Sequence, residues 1–341
     1  MSPLETTGSP VVSVLLPAHN AAATLPACLR SLTRQTVTDW ACVIVDDGST
    51  DDTAAIARAA ARRDPRITVV TTPHRGLVAA LDEGLHHCAA PYVARMDADD
   101  LMRRTRLADQ VQALETQPEL TAVGAHVRIF PRQHLHDGWR AYERWLNGLD
   151  SVEAVRRDAF VESPVAHPTL MIRRATLERF GYRDRGWAED YDLILRLLAA
   201  GHRVGVVPRR LVAWRDHPDR LTRRAATYAI AQLTACKAAF LASGFLGATE
   251  RYVLWGYGST ARALDRALRA HGKRAAHVID VDPRRVGNRI RGAPVVLPDA
   301  LPTLPRLPVV VSVAGPTPRT QIRAFMARHG FEEIRDFVCA A

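Results

Sequence analysis

Short apolar runs alternate with helical segments through the first hundred residues of this 341-residue chain. Each run is rich in β-branched residues and ends in polar residues, which is the pattern of a buried strand followed by a loop. The predicted strands span residues 11–16, 40–45, 67–71 and 92–96, and helical spacing follows the first three of them. Because this alternation favours parallel strands covered by helices, we expect a doubly wound α/β sheet.

Three aspartates follow the fourth predicted strand, namely Asp97, Asp99 and Asp100. Carboxylates this close repel one another, and they are costly to hold together unless a cation binds them. Carboxylate oxygens suit Mg²⁺ or Mn²⁺, and Mg²⁺ in particular is often held by one or two carboxylates plus the phosphate oxygens of a substrate. The triplet therefore predicts a divalent-cation site for a substrate diphosphate, although acidic loops also occur at strand ends without a metal.

Polar residues also follow the first two predicted strands. His19 and Asn20 follow the first strand, and Asp46 and Asp47 end the second. Ligands of doubly wound sheets bind beyond the carboxyl ends of the strands. We therefore expect these two clusters and the aspartate triplet to lie on one rim of the sheet.

The charge of the chain is unevenly distributed. The net charge is +10, and residues 251–341 supply +8 of it from 15 basic and 7 acidic side chains. This favours an anionic ligand or surface in the C-terminal part, although an Arg-rich composition alone also explains it. We expect no nucleic-acid partner, because the basic residues are not interleaved with aromatic ones.

We expect a cytoplasmic protein. No apolar run approaches the roughly 18 residues of a transmembrane helix, and residues 1–10 lack the apolar region of a signal peptide. The five scattered cysteines are typical of reduced thiols. Residues 203–224 carry seven arginines, which are consistent either with a solvated face or with peripheral contact at the inner membrane face.

Four motifs occur in a characteristic order: VLLPAHN at 14–20, VDDGSTD at 45–51, ARMDADD at 94–100 and EDYDL at 189–193. With them, the first ~220 residues resemble a family 2 glycosyltransferase with the GT-A fold of nucleotide-diphospho-sugar transferases. The resemblance implies a hexosyltransferase-like enzyme that moves a sugar, with inversion, from a nucleotide-sugar donor to an acceptor hydroxyl. A saccharide or lipid-linked acceptor and a role in polysaccharide or glycoconjugate biosynthesis are implied as well.

The resemblance also assigns residues to roles. Asp190 matches the general base, and Asp99 matches the direct ligand of Mn²⁺ or Mg²⁺. His217 stands where some relatives have a metal or diphosphate ligand, and a structural role fits it equally. His167, before a later strand, has a similar but weaker claim. The implied donor-binding residues are Pro17, His19, Asn20, Asp46, Asp47, Arg75, Asp97 and Glu189.

Several of these residues have a second interpretation. Asp46 and Asp47 match an acidic pair that binds the base or ribose, but they also suit the start of the next helix. Arg75 suits a phosphate or an exposed helix start. Glu189 suits a sugar or acceptor contact, or a favourable charge at a helix N-terminus. We also expect residues 125–165 to be less regular, with aromatic side chains that either stack on a sugar or join the core.

A second α/β segment begins at residue 251. Gly256 and Gly258 follow a predicted strand and precede a helix, and Asp280 ends the next strand. This context is typical of a dinucleotide-binding turn, and the segment also resembles small Rossmann-like domains found beside sugar-modifying enzymes. We predict a GT-A domain at 1–224, a helical connector at 225–250 and a Rossmann-like nucleotide-binding or structural domain at 251–341.

Two other functions are compatible with parts of this pattern. A GT-A-fold nucleotidyltransferase would carry a Gly-rich, Arg-containing phosphate loop after the first strand, and residues 17–20 contain none. A non-catalytic sugar-nucleotide-binding protein would not need Asp99 and Asp190, and both are present. The residues therefore favour the enzyme.

Overall fold

A computed structural model describes residues 9–218, 220, 223 and 225–341. The chain divides into two compact units. The first contains the chain up to Val155 together with Val165–Asp184 and Glu189–Arg220, and the second contains Arg156–Pro164, Arg185–Ala188 and the chain from residue 221 onward. The domain boundary predicted at residue 224 lies outside the described residues.

The first unit is built on eight strands. They are β1 Val12–Ala18, β2 Trp40–Asp47, β3 Ile67–Thr72, β4 Tyr92–Arg95, β5 Leu101–Met102, β6 Leu120–Phe130, β7 Met171–Arg173 and β8 Arg203–Arg215. They form one sheet in the order β3-β2-β1-β4-β7-β6-β8-β5. The first four strands are parallel, as the alternating pattern predicts. The sheet becomes mixed at β7, which runs antiparallel to both β4 and β6.

Eight α-helices accompany these strands in the described part of the chain. They are α1 Leu25–Leu32, α2 Thr53–Arg63, α3 Leu77–His86, α4 Arg106–Thr116, α5 Asp137–Leu146, α6 Val152–Arg157, α7 Arg174–Phe180 and α8 Glu189–Ala199. Apolar residues of α1, α2 and α4 pack in one buried cluster, and those of α3, α7 and α8 pack in another. The parallel sheet is therefore covered by two helical layers, because its strands are apolar on both faces.

Residues 125–165, which the sequence predicts to be less regular, lie in a segment with well-defined strands and helices. This segment contains the eleven-residue strand β6 and the helices α5 and α6. Trp139 and Tyr142 contact Trp214 of β8, with ring centroids 5.9 and 6.1 Å from it. These aromatic residues, with Trp145, are half-buried against a core cluster formed by β6 and its neighbours. The segment therefore folds by tertiary packing that its own periodicity does not reveal.

The second unit has a six-stranded sheet in the order β11-β12-β10-β9-β13-β14. Its strands are β9 Arg251–Trp255, β10 Arg274–Ile279, β11 Arg289–Ile290, β12 Ala293–Val296, β13 Val309–Val311 and β14 Phe337–Cys339. All neighbours are parallel except the β11–β12 pair. Its α-helices from residue 225 onward are α9 Ile230–Ser243, α10 Ser259–Ala270 and α11 Pro316–Arg328.

Helix α9 lies in the segment 225–250, for which the sequence predicts a connector. Its residues Ala238 and Leu241 are fully buried in one cluster with Leu264 and Leu268 of α10. The helix is thus part of the core of the second unit. Among the described residues, no helix has both the length and the apolar character that crossing a membrane requires.

Candidate functional site

The carboxyl ends of β3, β2, β1 and β4 lie side by side on one rim of the first sheet. Ala18 is in register with Asp46, and Asp47 is in register with Thr72. The polar clusters that follow these strands therefore emerge along the same edge. Pro17 itself lies buried within β1, opposite Val45.

Asp47 anchors the loop that follows β3. Its buried carboxylate accepts hydrogen bonds from the backbone N–H groups of Arg75 and Gly76, each at 2.8 Å. The Nδ1 atom of His74 lies 2.8 Å from the same carboxylate. The Arg75 side chain is about half exposed and lies 3.6 Å from Glu83. Asp47 thus fixes the backbone at Arg75, whereas the half-exposed guanidinium lies near Glu83.

Two histidine rings stack at this rim. The ring centroids of His19 and His74 are 4.1 Å apart, with an angle of 23° between the planes. Nδ1 of His19 lies 2.7 Å from the Asp47 carbonyl oxygen, so this nitrogen is the donor, because a carbonyl only accepts. The paired rings form a flat exposed surface. The sequence motifs do not include His74, whose signal in the sequence is its position beside Arg75 after a strand.

Asn20 joins the loops after β1 and β2. It adopts a left-handed backbone conformation with φ of 50°, and its side-chain oxygen accepts from the Thr50 N–H at 2.8 Å. The Asn20 N–H donates to Ser49 Oγ at 3.0 Å. Asp46 is fully buried and accepts from the Ser49 N–H at 3.3 Å. Asn20 and Asp46 therefore hold the shape of the rim.

The aspartate triplet follows β4. Asp97 is paired with Arg95, and Asp99 Oδ2 lies 3.0 Å from Nε2 of His217. Asp100 is completely buried, and its Oδ1 accepts from the Arg215 N–H at 2.6 Å. Its Oδ2 has no hydrogen-bond partner among the described residues. The structure thus brings His217 to Asp99 from 118 residues away.

The three carboxyl groups differ in their pKa. Burial alone would raise the pKa of Asp97, but the charges of Arg95 and Arg220 outweigh it and keep this pKa below its ordinary value. Burial and the charge of Asp97 raise the pKa of Asp99. Burial, with the charges of both neighbours, raises the pKa of Asp100 well above its ordinary value. Mutual repulsion therefore persists in the cluster, as expected of a cation site.

Buried arginines surround the triplet. Arg106 is fully buried and donates to the Arg95 carbonyl at 2.7 Å, and burial lowers its pKa to about 9. Arg220 lies over the Trp214 ring, 4.1 Å from its centroid. Burying a guanidinium is costly unless negative charge lies nearby. The negative charges of the aspartates therefore compensate for the cost of burying these arginines.

Asp190 and Glu189 begin helix α8. Asp190 is half-buried, and its Oδ1 accepts from the Tyr191 N–H at 2.7 Å. Burial and the charge of Glu189 raise the pKa of Asp190 to about 6. Glu189 is buried and lies 3.2 Å from Nδ1 of His167, whose Nε2 lies 3.0 Å from the Tyr182 hydroxyl. The linked side chains of Glu189, His167 and Tyr182 therefore support the start of helix α8.

Arg95 connects the two acidic groups. It is 3% exposed, contacts Asp97 directly, and its positive charge also acts on Glu189 and Asp190. Asp97 and Asp190 are 93 residues apart in the sequence, yet they experience the same guanidinium. In the sequence, Arg95 lies within the predicted strand at residues 92–96. The available signal was a charged residue within an apolar strand, which needs a partner when it is buried.

Among the residues that the structure describes, two groups of three His or Asp side chains have ligand atoms within 4.8 Å of one another. In the first, Nδ1 of His19 and Nδ1 of His74 already contact Asp47, whose carboxylate also accepts from the backbone N–H groups of Arg75 and Gly76. The second is Asp97, Asp99 and Asp100, which offers only oxygen ligands and includes the orphaned Asp100 Oδ2. Oxygen ligands of this kind fit Mg²⁺ or Mn²⁺, so the triplet is the better candidate.

The predicted residues of the C-terminal segment belong to the second unit. Gly256 has φ of 91°, and a Cβ there would lie 2.6 Å from Val313, so packing alone requires glycine. A Cβ at Gly258 would meet no atom within 4 Å. Asp280 Oδ2 pairs with Arg285 at 2.8 Å. These contacts suit a structural turn at least as well as a ligand site.

Comparison with known proteins identifies the class. The model of "Glycosyl transferase family 2" matches residues 13–181. The putative glycosyltransferase EpsE of Bacillus subtilis is 31% identical over 229 residues, covering 65% of this chain and 78% of EpsE. The amylovoran biosynthesis glycosyltransferase AmsE of Erwinia amylovora is 30% identical over 235 residues, covering 67% and 86%. The chain belongs to glycosyl transferase family 2.

Solved structures agree on the fold. S. aureus TarS 1-349 in complex with UDP-GlcNAc is 16% identical, with a TM-score of 0.55 over 76% of this chain and 72% of that one. The mannosyltransferase PcManGT of Pyrobaculum calidifontis, in complex with GDP-Man and Mn²⁺, is 23% identical, with a TM-score of 0.52 over 78% and 70%. The expected GT-A fold is thus confirmed.

Proposed function

We propose that this protein is a metal-dependent, inverting glycosyltransferase that moves a sugar from a nucleotide-sugar donor to an acceptor hydroxyl. The observation that carries the proposal is the environment of Arg95, whose charge acts both on the aspartate triplet and on Asp190. The carboxylates of the aspartate triplet suit a cation, and the carboxylate of Asp190 suits the role of proton acceptor. A single-displacement transfer needs both.

Asp190 is the proposed general base. Inversion is a direct attack of the acceptor oxygen on the anomeric carbon, and the acceptor proton must go to a nearby group. A base works best when its pKa lies near the working pH, and the pKa of Asp190 is raised to about 6. Glu189 pairs with His167 at the start of α8, which supports a defined position for the neighbouring Asp190.

Asp97 and Asp99 are the proposed ligands of Mn²⁺ or Mg²⁺, with His217 positioned against Asp99. When bound, such a cation stabilises the charge that develops on the leaving nucleoside diphosphate. The buried arginines around the triplet keep Asp97 ionised at neutral pH. An ionised carboxylate is the form that binds the metal.

The stacked pair of His19 and His74 is the proposed surface for the donor base. A flat imidazole presents a face for stacking, as other aromatic side chains do. Asp47 orients both rings, and Asn20 and Asp46 hold the neighbouring loops. The structural neighbours were solved in complex with UDP-GlcNAc, UDP and GDP-Man, which supports a nucleotide-sugar donor for this protein.

The names of the relatives support a biological setting. AmsE is named for amylovoran biosynthesis and ExoU of Rhizobium meliloti for succinoglycan biosynthesis. We place this protein in polysaccharide or glycoconjugate assembly in the cytoplasm, with a saccharide or lipid-linked acceptor and peripheral membrane contact. Nucleotide binding at Gly256, Gly258 and Asp280 is a separate and weaker proposal, because Arg285 already pairs with Asp280.

Release of nucleoside diphosphate from a panel of UDP- and GDP-sugars, with Mn²⁺ and cell-extract acceptors, tests the proposal. We expect release with one donor class, and its loss on adding EDTA. Asp99→Ala removes a ligand and is expected to weaken Mn²⁺-dependent donor binding about tenfold or more. Asp82→Ala, on the exposed face of α3, is the matched control. Donor binding that is identical in both variants would remove the metal role of Asp99.

A further inference from the structure

The second unit contains a cavity of about 300 Å³ at the end of its sheet where β9 and β10 begin. Four arginines line it, namely Arg251, Arg269, Arg274 and Arg291. The turn at Gly256 follows the opposite end of β9, so the cavity is distinct from the dinucleotide-type turn. Small residues, including Ala276 and Gly292, lie between the arginines and leave the space open.

The arginines reach the cavity from four different elements. Arg251 and Arg274 are the first residues of β9 and β10, and they are register partners on neighbouring parallel strands. Arg269 comes from the last turn of α10, and Arg291 comes from the turn between β11 and β12. Convergence of this kind cannot result from one Arg-rich stretch of sequence. It concentrates positive charge in one concave surface.

The charge is only partly balanced. Asp265 is 1% exposed, accepts a hydrogen bond from Tyr252, and pairs with Arg269 at 3.1 Å and with Arg291 at 3.8 Å. Glu250 also lines the cavity, which leaves four cations against two carboxylates. Among the described residues, the guanidinium groups of Arg251 and Arg274 form no ion pair with a carboxylate. Like charges on neighbouring strands are unfavourable unless an anion lies between them.

The turn that carries Arg291 gives an independent indication. Arg291 and Gly292 form a two-residue hairpin turn, with φ of 50° and 88°. Such turns prefer Asn, Asp or Gly at the first position, because other side chains are strained at positive φ. Arginine at position 291 therefore has an unfavourable backbone conformation. Its side chain, directed into the cavity, accounts for its presence better than the turn does.

We infer that this cavity binds a small anion with two or more negative charges of the phosphate type. A cavity of about 300 Å³ is at the lower end of the range for ligand sites, which suits a diphosphate or a phosphorylated headgroup rather than a whole nucleotide sugar. Guanidinium groups match phosphate oxygens in geometry and charge. The net excess of two positive charges matches the same class of ligand.

Calorimetric titration of the full chain with inorganic pyrophosphate tests the inference. EDTA is present, so that no metal-dependent binding at the first unit contributes. We expect one binding event, weakened about tenfold or more in the Arg251→Ala/Arg274→Ala double variant. The control is Arg262→Ala/Arg328→Ala, which removes the same charge from exposed positions of the same unit outside the cavity. Arg291→Asn is expected to weaken binding while supplying a residue that the turn prefers.

Flotation with vesicles that contain phosphatidic acid separates the two sources of the phosphate. Binding of pyrophosphate assigns a soluble ligand. Vesicle binding that only the Arg251→Ala/Arg274→Ala variant loses, without pyrophosphate binding, assigns a lipid headgroup. The inference is overturned if neither probe binds, or if the two double variants lose binding to the same extent. The thermal unfolding midpoint of each variant verifies that it is folded.

Discussion

Arg95 determines the electrostatics of the candidate site at the scale of single residues. It contacts Asp97, and its charge also reaches Glu189 and Asp190. The aspartates were predictable because they occur in motifs. Arg95 and His74 were not, because their roles depend on which side chains the fold brings to them. A strand residue contacts different partners when the register changes by one position.

The pH dependence of transfer tests this arrangement. We expect kcat/KM to rise along a limb with an apparent pKa of about 6, because Asp190 must be ionised to accept a proton. Glu189→Gln removes a negative neighbour, so the pKa of Asp190 falls and the limb moves to lower pH. His167→Gln removes a positive neighbour, so the limb moves to higher pH. Initial rates between about pH 5 and about pH 8 measure both shifts.

The two variants are controls for each other, since both disturb the same buried pair. A general loss of structure would move both limbs in one direction or lower both rates without a shift. Limbs that stay in place in both variants would contradict the role of Asp190 as the titrating group.

At the scale of elements, the close approach of α3 to the sheet shows how a single residue sets packing. A Cβ at Gly84 would lie 2.4 Å from Leu15 and 2.7 Å from Val45. The four parallel strands were predictable because each is a local apolar run. The mixed part of the sheet was not, because β6, β7 and β8 find their partners at distant positions. Helices α5 and α6 also depend on such contacts.

Gly84→Ala is therefore expected to destabilise the protein by about 1–3 kcal/mol, because the added methyl group forces α3 away from β1 and β2. This cost exceeds the gain of about 1 kcal/mol in helix propensity. Urea denaturation followed by circular dichroism measures the difference. Asp82→Ala on the exposed face of the same helix is the control, with an expected change within about 0.5 kcal/mol. Equal or higher stability of Gly84→Ala would refute the packing argument.

At the scale of the whole molecule, the second unit includes two short segments that interrupt the first unit in the sequence. Residues 156–164 precede the last part of the first unit in sequence, yet they belong to the second. Asp158 pairs with Arg323, and Val161 accepts a hydrogen bond from Lys237 at 2.6 Å. No change in composition marks this segment in the sequence. The domains predicted from the sequence are therefore contiguous, and none of them separates residues 156–164 from their neighbours.

Arg323→Met tests this division. The substitution removes a cation shared by Asp158 and Glu333, so local opening of residues 156–164 becomes easier by about 1–3 kcal/mol. Hydrogen exchange of those amides is expected to accelerate, while amides of β1 and β2 keep their rates. Arg328→Met, at an exposed position of the same helix, is the control. Unchanged exchange at 156–164 would show that Arg323 does not hold the segment.

The most direct test of the account compares donor binding with sugar transfer in Asp190→Asn. The substitution keeps the size of the side chain and removes its basicity, so the account predicts unchanged Mn²⁺-dependent donor binding and a loss of transfer of about 100-fold or more. Calorimetry measures the binding, and release of nucleoside diphosphate with acceptor present measures the transfer. Transfer near the wild-type rate, with donor bound, would contradict the assignment of Asp190 as the base.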